Sequence, residues 1–143
     1  MLPNLVLGTL LISATVLIHT LGLMVLSRSM ARIVRWFRLH RHDFGRTVAI
    51  TTTVLGIFAI HTLEIWLWAA AYSITGAIGS FDVALTFSTE MFSTVGSGMH
   101  LFANWRQLAA LESVDGFILI GWSIAYLVAA STRHGPFRSG EHF

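Results

Sequence analysis

Three long apolar segments constrain the fold of this chain more than any other feature. They cover residues 5–26, 48–72 and 108–130, and each is long enough to cross the hydrocarbon core of a bilayer, which takes roughly 20 helical residues. Charged residues make up only 11% of the 143-residue sequence, against about 25% in a typical soluble domain. The sequence therefore predicts an all-α membrane protein with three transmembrane helices, folded as one unit.

The arginines indicate how the chain is oriented. The connection between the second and third apolar segments holds a single arginine, Arg106, whereas two follow the third segment (Arg133 and Arg138). Six lie between the first and second segments: Arg28, Arg32, Arg35, Arg38, Arg41 and Arg46. The protein is expected in the cell (inner) membrane. The positive-inside rule then places this linker and the C-terminus in the cytoplasm and the N-terminus on the outer side of the membrane. The basic pI of about 9.9 is thus a topology signal and need not indicate nucleic acid, for which no binding motif is visible.

The arginine-rich linker, residues 28–47, is predicted to form a basic helix at the inner membrane surface. Arg28, Arg32 and Arg35 share one face of such a helix, and apolar residues occupy the other. Arginine at every third position also occurs in voltage-sensing helices. However, each arginine at the bilayer centre costs about 2.5–3.5 kcal/mol, and this chain has no countercharges to spare. We favour the interfacial helix.

A polar stretch, "FSTEMFSTVGSGM" (residues 87–99), separates the second and third apolar segments. Residues 80–92 suit a short helix, because Ser80 can cap it and Asp82 places a negative charge in its first turn. A helix this short cannot span a bilayer, so it is predicted to be re-entrant. The alternating glycines of "TVGSG" (residues 94–98) permit backbone angles that aim successive carbonyls the same way. Four copies around an axis would stack rings of oxygens that replace the water shell of a cation.

The order of apolar segment, short helix, "TVGxG" and apolar segment closely resembles the pore module of tetrameric potassium channels, especially small bacterial channels of the KcsA-like type. The stretches that match are "HTLEIWLWA" (61–69), "ALTFSTEMFSTVGSG" (84–98) and "WRQLAALESVDGFILIGWS" (105–123). The resemblance covers about residues 48–130. Residues 1–27 form an additional N-terminal transmembrane helix, and residues 131–143 form a short cytoplasmic tail.

The resemblance implies a four-fold homotetramer that conducts potassium passively, without enzymatic chemistry and without a cofactor other than permeant K⁺ or Na⁺. It implies a filter in which carbonyls and one hydroxyl coordinate dehydrated cations. The filter residues are Thr94, with its hydroxyl, Val95, Gly96, Ser97 and Gly98, and Glu90 supports them from behind. Gly116 falls where the family bends its inner helix. Residues that recur at helical spacing after it either line the cavity and inner gate or pack against lipid or neighbours: Phe117, Ile120, Ile124 and Val128.

Two residues depart from the family pattern. The family has tyrosine where Ser97 stands and commonly aspartate where Met99 stands. The tyrosine packs outward and holds the filter at a fixed diameter, whereas Ser97 faces Thr86 and Phe87. Without the aspartate, Glu90 needs either another partner, such as the filter amides, or a proton of its own. We therefore expect weakened selectivity for potassium over sodium.

The other ionisable residues of the apolar segments have structural interpretations as well as functional ones. His61 and Glu64 are one helical turn apart and can satisfy each other or a neighbouring helix. Glu112 and Asp115 share a face and are predicted to hydrogen-bond the pore helix, or else to raise the local cation concentration as rings. His19 is predicted to make a polar contact between helices.

Two further classes of function stay open. His19 and His61 lie on separate segments, as the iron ligands of a haem-binding electron-transfer protein do. Ser97 is also compatible with a degenerate filter in a nonconducting scaffold subunit. The absence of cysteine excludes disulfides, thiolate catalysis and cysteine-based metal sites.

Overall fold

The computed structural model describes residues 2–36, 43–99, 101 and 105–134. This part of the chain folds into four helices and contains no strand. The helices are α1 (Leu2–Trp36), α2 (Asp43–Ile74), α3 (Phe81–Phe92) and α4 (Arg106–His134). The prediction of an all-helical chain is confirmed.

Three of these helices are long and apolar enough to cross a membrane. The candidate spans are Leu2–Ile33, Phe44–Ile74 and Arg106–Thr132. In the most apolar window of each, only 22–28% of the residues are buried. Most residues of these windows are therefore at least partly exposed, as expected of helices that meet lipid.

The predicted linker does not begin at a helix end. Helix α1 continues unbroken through residues 28–36, because this stretch holds neither glycine nor proline. Helix α2 already begins at Asp43, so residues 43–47 also lie in a long helix. Residues 37–42 of the linker and residues 135–143 of the tail lie outside the described residues.

The helices pack so that α1 and α3 both lie against α2 and α4. The core joins the aromatic rings of Trp68 and Tyr72 from α2 with those of Phe87 and Phe92 from α3. The Tyr72 and Phe87 rings meet edge to face with centroids 5.3 Å apart, a favoured aromatic geometry. The short helix is thus held against α2 by aromatic packing, and buried aliphatic residues of α4, Leu108 and Leu119, complete the same core.

Helix α3 begins one residue after Ser80, which has extended backbone angles (φ −125°, ψ 134°). Ser80 occupies the N-cap position, but its hydroxyl makes no capping hydrogen bond. The Ala84 N–H donates to the Ser80 carbonyl instead, at 2.9 Å. Asp82 lies in the first turn as predicted, where the positive end of the helix dipole stabilises a negative charge.

Candidate functional site

The backbone changes hand repeatedly where the chain leaves α3. Ser93 has helical angles (φ −74°, ψ −1°), Thr94 has φ +62° and Gly96 has φ +82°, whereas Val95 and Ser97 are not in the positive region. Thr94 is the one non-glycine residue with positive φ among the described residues. Positive φ is a genuine outlier for a β-branched residue, and such backbone strain concentrates at functional sites.

This alternation of backbone angles turns several N–H groups at the end of α3 back towards the helix. The N–H groups of Ser93, Thr94 and Gly96 all turn back to α3. They donate to the carbonyls of Thr89 (3.1 Å), Met91 (3.0 Å) and Glu90 (3.1 Å). Across the described ranges, no carbonyl from 94 to 98 accepts a hydrogen bond. Among the described residues, the Thr94 and Gly96 amides of this segment are therefore held by α3, whereas its five carbonyl oxygens have no partner.

Ser97 borders two cavities beside α3. One, of about 470 Å³, is also lined by Thr86, Phe87 and Glu90. The other, of about 540 Å³, is lined by Phe87, Arg106 and neighbouring residues. The Ser97 hydroxyl accepts the N–H of Met99 at 3.2 Å. The small side chain thus leaves open space between the segment and the face of α3.

Glu90 contacts the segment through its backbone. Its carbonyl accepts the Gly96 N–H, while no hydrogen bond among the described residues joins its carboxylate to an amide of the segment. Of the two partners considered for this carboxylate, the filter amides make no hydrogen bond to it among the described residues, and a proton of its own stays a prediction. The positive φ of Thr94 redirects the chain so that the amide meets the main-chain oxygen.

The predicted inner-helix residues fall into two groups. Gly116 is buried against the end of α3 and Ile120 packs against the core. Phe117, Ile124 and Val128 are 71%, 58% and 60% exposed on the subunit surface. Helix α4 runs without interruption through Gly116. A hinge at Gly116 and a cavity lined by the exposed residues stay predictions.

A buried polar cluster joins α1, α2 and α4. The Glu64 carboxylate bonds to His19 Nδ1 at 2.9 Å through Oε1 and to His61 Nδ1 at 2.7 Å through Oε2. The second ring nitrogen of His61, Nε2, lies 3.0 Å from the Ser123 hydroxyl. The predicted pairing of His61 with Glu64 and the predicted contact of His19 between helices are both confirmed.

The two acidic residues of α4 bond to different helices. Glu112 accepts the Tyr72 hydroxyl at 2.7 Å and the Ser88 hydroxyl of α3, so its predicted bond to the short helix is confirmed. Asp115 instead accepts Thr15 Oγ1 at 2.8 Å from α1 and Trp68 Nε1 at 3.1 Å from α2. The predicted bond between Asp115 and α3 is wrong, because α1 occupies the face of α4 on which Asp115 lies.

Sequence reasoning missed the neutral partners of these acids. Thr15, Trp68, Tyr72, Ser88 and Ser123 were not singled out, although all five are buried. A signal was present, since Thr15 precedes His19, and Glu64 precedes Trp68, by four residues, and such residues are neighbours on one helix face. Helical spacing of polar side chains within apolar segments indicates a helix-helix contact.

Comparison of the chain with protein-family models, with curated proteins and with solved structures found no match. The resemblance to potassium channels therefore rests on the quoted residues alone.

Proposed function

We propose that this chain is the subunit of a four-fold symmetric cation channel, with residues 94–98 as a carbonyl-lined filter. In this proposal α3 is re-entrant, and the filter conducts potassium with weakened selectivity over sodium. Thr94, Val95, Gly96 and Ser97 supply carbonyl oxygens, and Thr94 adds its hydroxyl. Glu90 supports the filter through its backbone carbonyl, and the protein lies in the cell membrane with both the linker and the C-terminus in the cytoplasm.

The observation that favours this function most is a run of five successive carbonyls after α3, residues 94–98, that accept no hydrogen bond from any described residue. The Thr94 and Gly96 amides of the same segment bond to α3. The carbonyls are therefore available to replace the water shell of a cation. The geometry thus favours a cation as the ligand.

The C-terminal end of α3 supports the same sign of charge. A helix carries the equivalent of about half a negative charge at its C-terminus, and α3 ends at Phe92, directly before the segment. A cavity of about 430 Å³ lies at this end of the helix, lined among others by Thr89, Phe92 and Ser93. A cation near this cavity would be stabilised by the helix end.

Assembly follows from the same free carbonyls. Each unsatisfied backbone group at membrane depth costs several kcal/mol, so a single subunit would hold this segment at a high free-energy cost. When several subunits assemble around one pathway, the cations in that pathway bind the carbonyl oxygens that a single subunit leaves without a partner. The exposed face of α4 at Phe117, Ile124 and Val128 is the surface that we assign to the pathway and to neighbouring subunits.

The two buried histidines do not favour a haem. Their ring centroids are 5.4 Å apart with the planes tilted by 36°, and both Nδ1 atoms bond to the same carboxylate. Axial ligands lie on opposite faces of a porphyrin and aim their nitrogens at one iron. The two imidazole rings of His19 and His61 therefore leave no space for a porphyrin between them.

The test is ion flux into liposomes that contain the purified protein, with potassium as the driving ion. Wild-type protein is expected to conduct. Gly96→Ala is expected to abolish flux, because φ is +82° at this position and a side chain strains it. Gly79→Ala is the matched control, since φ is not positive there and no atom lies within 4 Å of the added Cβ.

Absence of flux from folded wild-type protein would overturn the channel and leave a nonconducting scaffold subunit. Flux from Gly96→Ala equal to wild type would show that the pathway does not pass through this segment.

A further inference from the structure

The buried cluster of His19, His61 and Glu64 has the composition of a metal site. Each residue offers one ligand atom, and the three atoms lie within 4.8 Å of one another. The side chains of His19 and Glu64 are fully buried and that of His61 is 14% exposed. Ionisable groups at membrane depth are costly and mark functional sites.

We propose that these three residues bind a divalent transition-metal ion of the zinc class, which ties α1 to α2. Two imidazoles and one carboxylate form a set that Zn²⁺ takes in proteins, with a further position left open. His19 comes from α1, while His61 and Glu64 come from α2. The ion would fasten the additional N-terminal helix to the rest of the subunit. This site does not depend on the proposed channel.

The hydrogen bonding of the metal-free cluster is incomplete in a way that favours an ion. When both Nδ1 atoms donate to Glu64, each Nε2 is left as an acceptor. That of His61 meets the Ser123 hydroxyl, whereas His19 Nε2 has no hydrogen-bond partner although it is buried. A buried unsatisfied polar atom destabilises the fold. An ion bound at His19 Nδ1 would move the ring proton to Nε2 and add a metal–nitrogen bond that offsets this cost.

The distances require only a small rearrangement to admit the ion. Zn²⁺ binds nitrogen and oxygen at about 2.0–2.2 Å, which places tetrahedral ligand atoms about 3.4 Å apart. The two histidine-carboxylate distances, 2.9 and 2.7 Å, would lengthen by about 0.5 and about 0.7 Å to reach this separation. Rotation of the side chains supplies such a change without movement of the helices.

The surroundings provide a second shell, an access route and charge compensation. Ser123 accepts or donates at the outer nitrogen of His61, as the partners of metal-binding histidines usually do. The cavity of about 430 Å³ is lined by both His61 and Ser123 and gives the ion a path to the site. Thr15, one turn before His19, donates to the Asp115 carboxyl group, so a second acidic side chain lies near the cluster and would offset the remaining charge of the ion when ionised.

The experiment measures Zn²⁺ binding to the full chain, purified with a histidine-free tag and stripped with a chelator. After equilibrium dialysis against Zn²⁺, the metal is counted by mass spectrometry. One ion per chain is expected, and X-ray absorption of the loaded protein is expected to show two imidazole nitrogens and one carboxylate oxygen around it. Folded wild-type protein that binds no Zn²⁺, or that holds it only among water ligands, would overturn the site.

Variants identify the ligands. His19→Gln and Glu64→Gln are each expected to weaken Zn²⁺ binding more than tenfold, and Ser123→Ala by about 10–100-fold through the second shell. Asp82→Asn is the matched control, because it removes an exposed carboxylate at the start of α3 and should bind as wild type does. Unchanged binding by the His19 and Glu64 variants would contradict the assignment, and if either fails to fold, the wild-type spectrum decides.

Discussion

Gly116 in α4 lies directly against the carbonyl oxygen of Phe92, the last residue of α3. A Cβ built on Gly116 would lie 2.0 Å from that oxygen and 2.8 Å from the carbonyl carbon. Both neighbours are backbone atoms, so neither can rotate away. The end of the short helix, and with it the start of the candidate filter, is therefore positioned by a close approach that only glycine permits.

We expect Gly116→Ala to destabilise the protein by about 1–3 kcal/mol, the usual cost of overpacking a tight core. Because the added methyl group would displace the end of α3, we also expect the Gly116→Ala protein to stop conducting ions. Thermal unfolding in detergent and flux into liposomes measure the two effects.

Gly121→Ala is the control in the same helix, since no atom lies within 4 Å of its added Cβ. Its stability should be unchanged or raised by up to about 1 kcal/mol, because alanine favours helices over glycine. If Gly116 acts only as a hinge, Gly116→Ala will instead keep wild-type stability and change gating alone.

The bond between Thr15 and Asp115 gives a second prediction. Thr15→Val keeps the shape of the side chain but removes one of the two described donors to a carboxylate that is buried at 3% exposure. Single hydrogen bonds between membrane helices contribute about 0.6–1.7 kcal/mol. We expect Thr15→Val to lower the free energy of unfolding by an amount in that range. Thr9→Val, an exposed site in the same helix whose hydroxyl bonds only to the Leu5 carbonyl, should lose nothing measurable. Equal losses at both sites would contradict a specific role for Thr15.

These contacts show which parts of the structure were accessible to sequence reasoning. The long helices follow from the length of the apolar segments, and the start of α3 was predicted within one residue because Ser80 and Asp82 are helix-start signals. His61 and Glu64 were paired correctly because spacing along one helix determines that contact. Local patterns were sufficient for each of these features.

Contacts between separate helices were less accessible. Asp115 bonds to α1 and α2 because α1 packs beside it, and nothing within α4 indicates where that additional helix lies. The turn at Thr94 was equally inaccessible, because a β-branched residue disfavours the positive φ that the chain adopts there. In both cases tertiary packing overrides the preference of the local sequence.

The channel proposal predicts a four-fold oligomer in mild detergent. Mass photometry should give a mass of four subunits. Ile124→Gln should weaken the assembly, because Ile124 is 58% exposed on the face of α4 that we assign to subunit contacts. Leu10→Gln, at a position 63% exposed on α1, is the control and should leave the oligomer intact. A monodisperse monomer or dimer with wild-type fold would rule out the shared pore.

His100 provides a prediction for pH, although it lies outside the described residues. It follows the proposed filter, residues 94–98, by two residues and lies at the outer mouth that the channel proposal expects. An unperturbed histidine gains a positive charge as the pH falls through about 6.5, and four such charges would repel cations that approach the mouth. Acidification of the outer side should lower conductance, and His100→Gln should flatten this dependence. The same acid block in the variant would show that His100 does not face the pathway.

The last prediction concerns Ser97 and the open space beside it. A tyrosine at this position would fill the cavities next to Phe87 and resist widening of the carbonyl ring, whether selectivity arises from cavity size or from ligand stiffness. Ser97→Tyr, alone or with Met99→Asp, should therefore raise the preference for potassium over sodium, and about 1.4 kcal/mol of discrimination is a tenfold change. Reversal potentials with the two ions on opposite sides measure it. Ser97→Ala is the control, since it removes only the hydroxyl and should leave the preference as it is. If the wild-type protein already excludes sodium strictly, the small side chain is not what sets its selectivity.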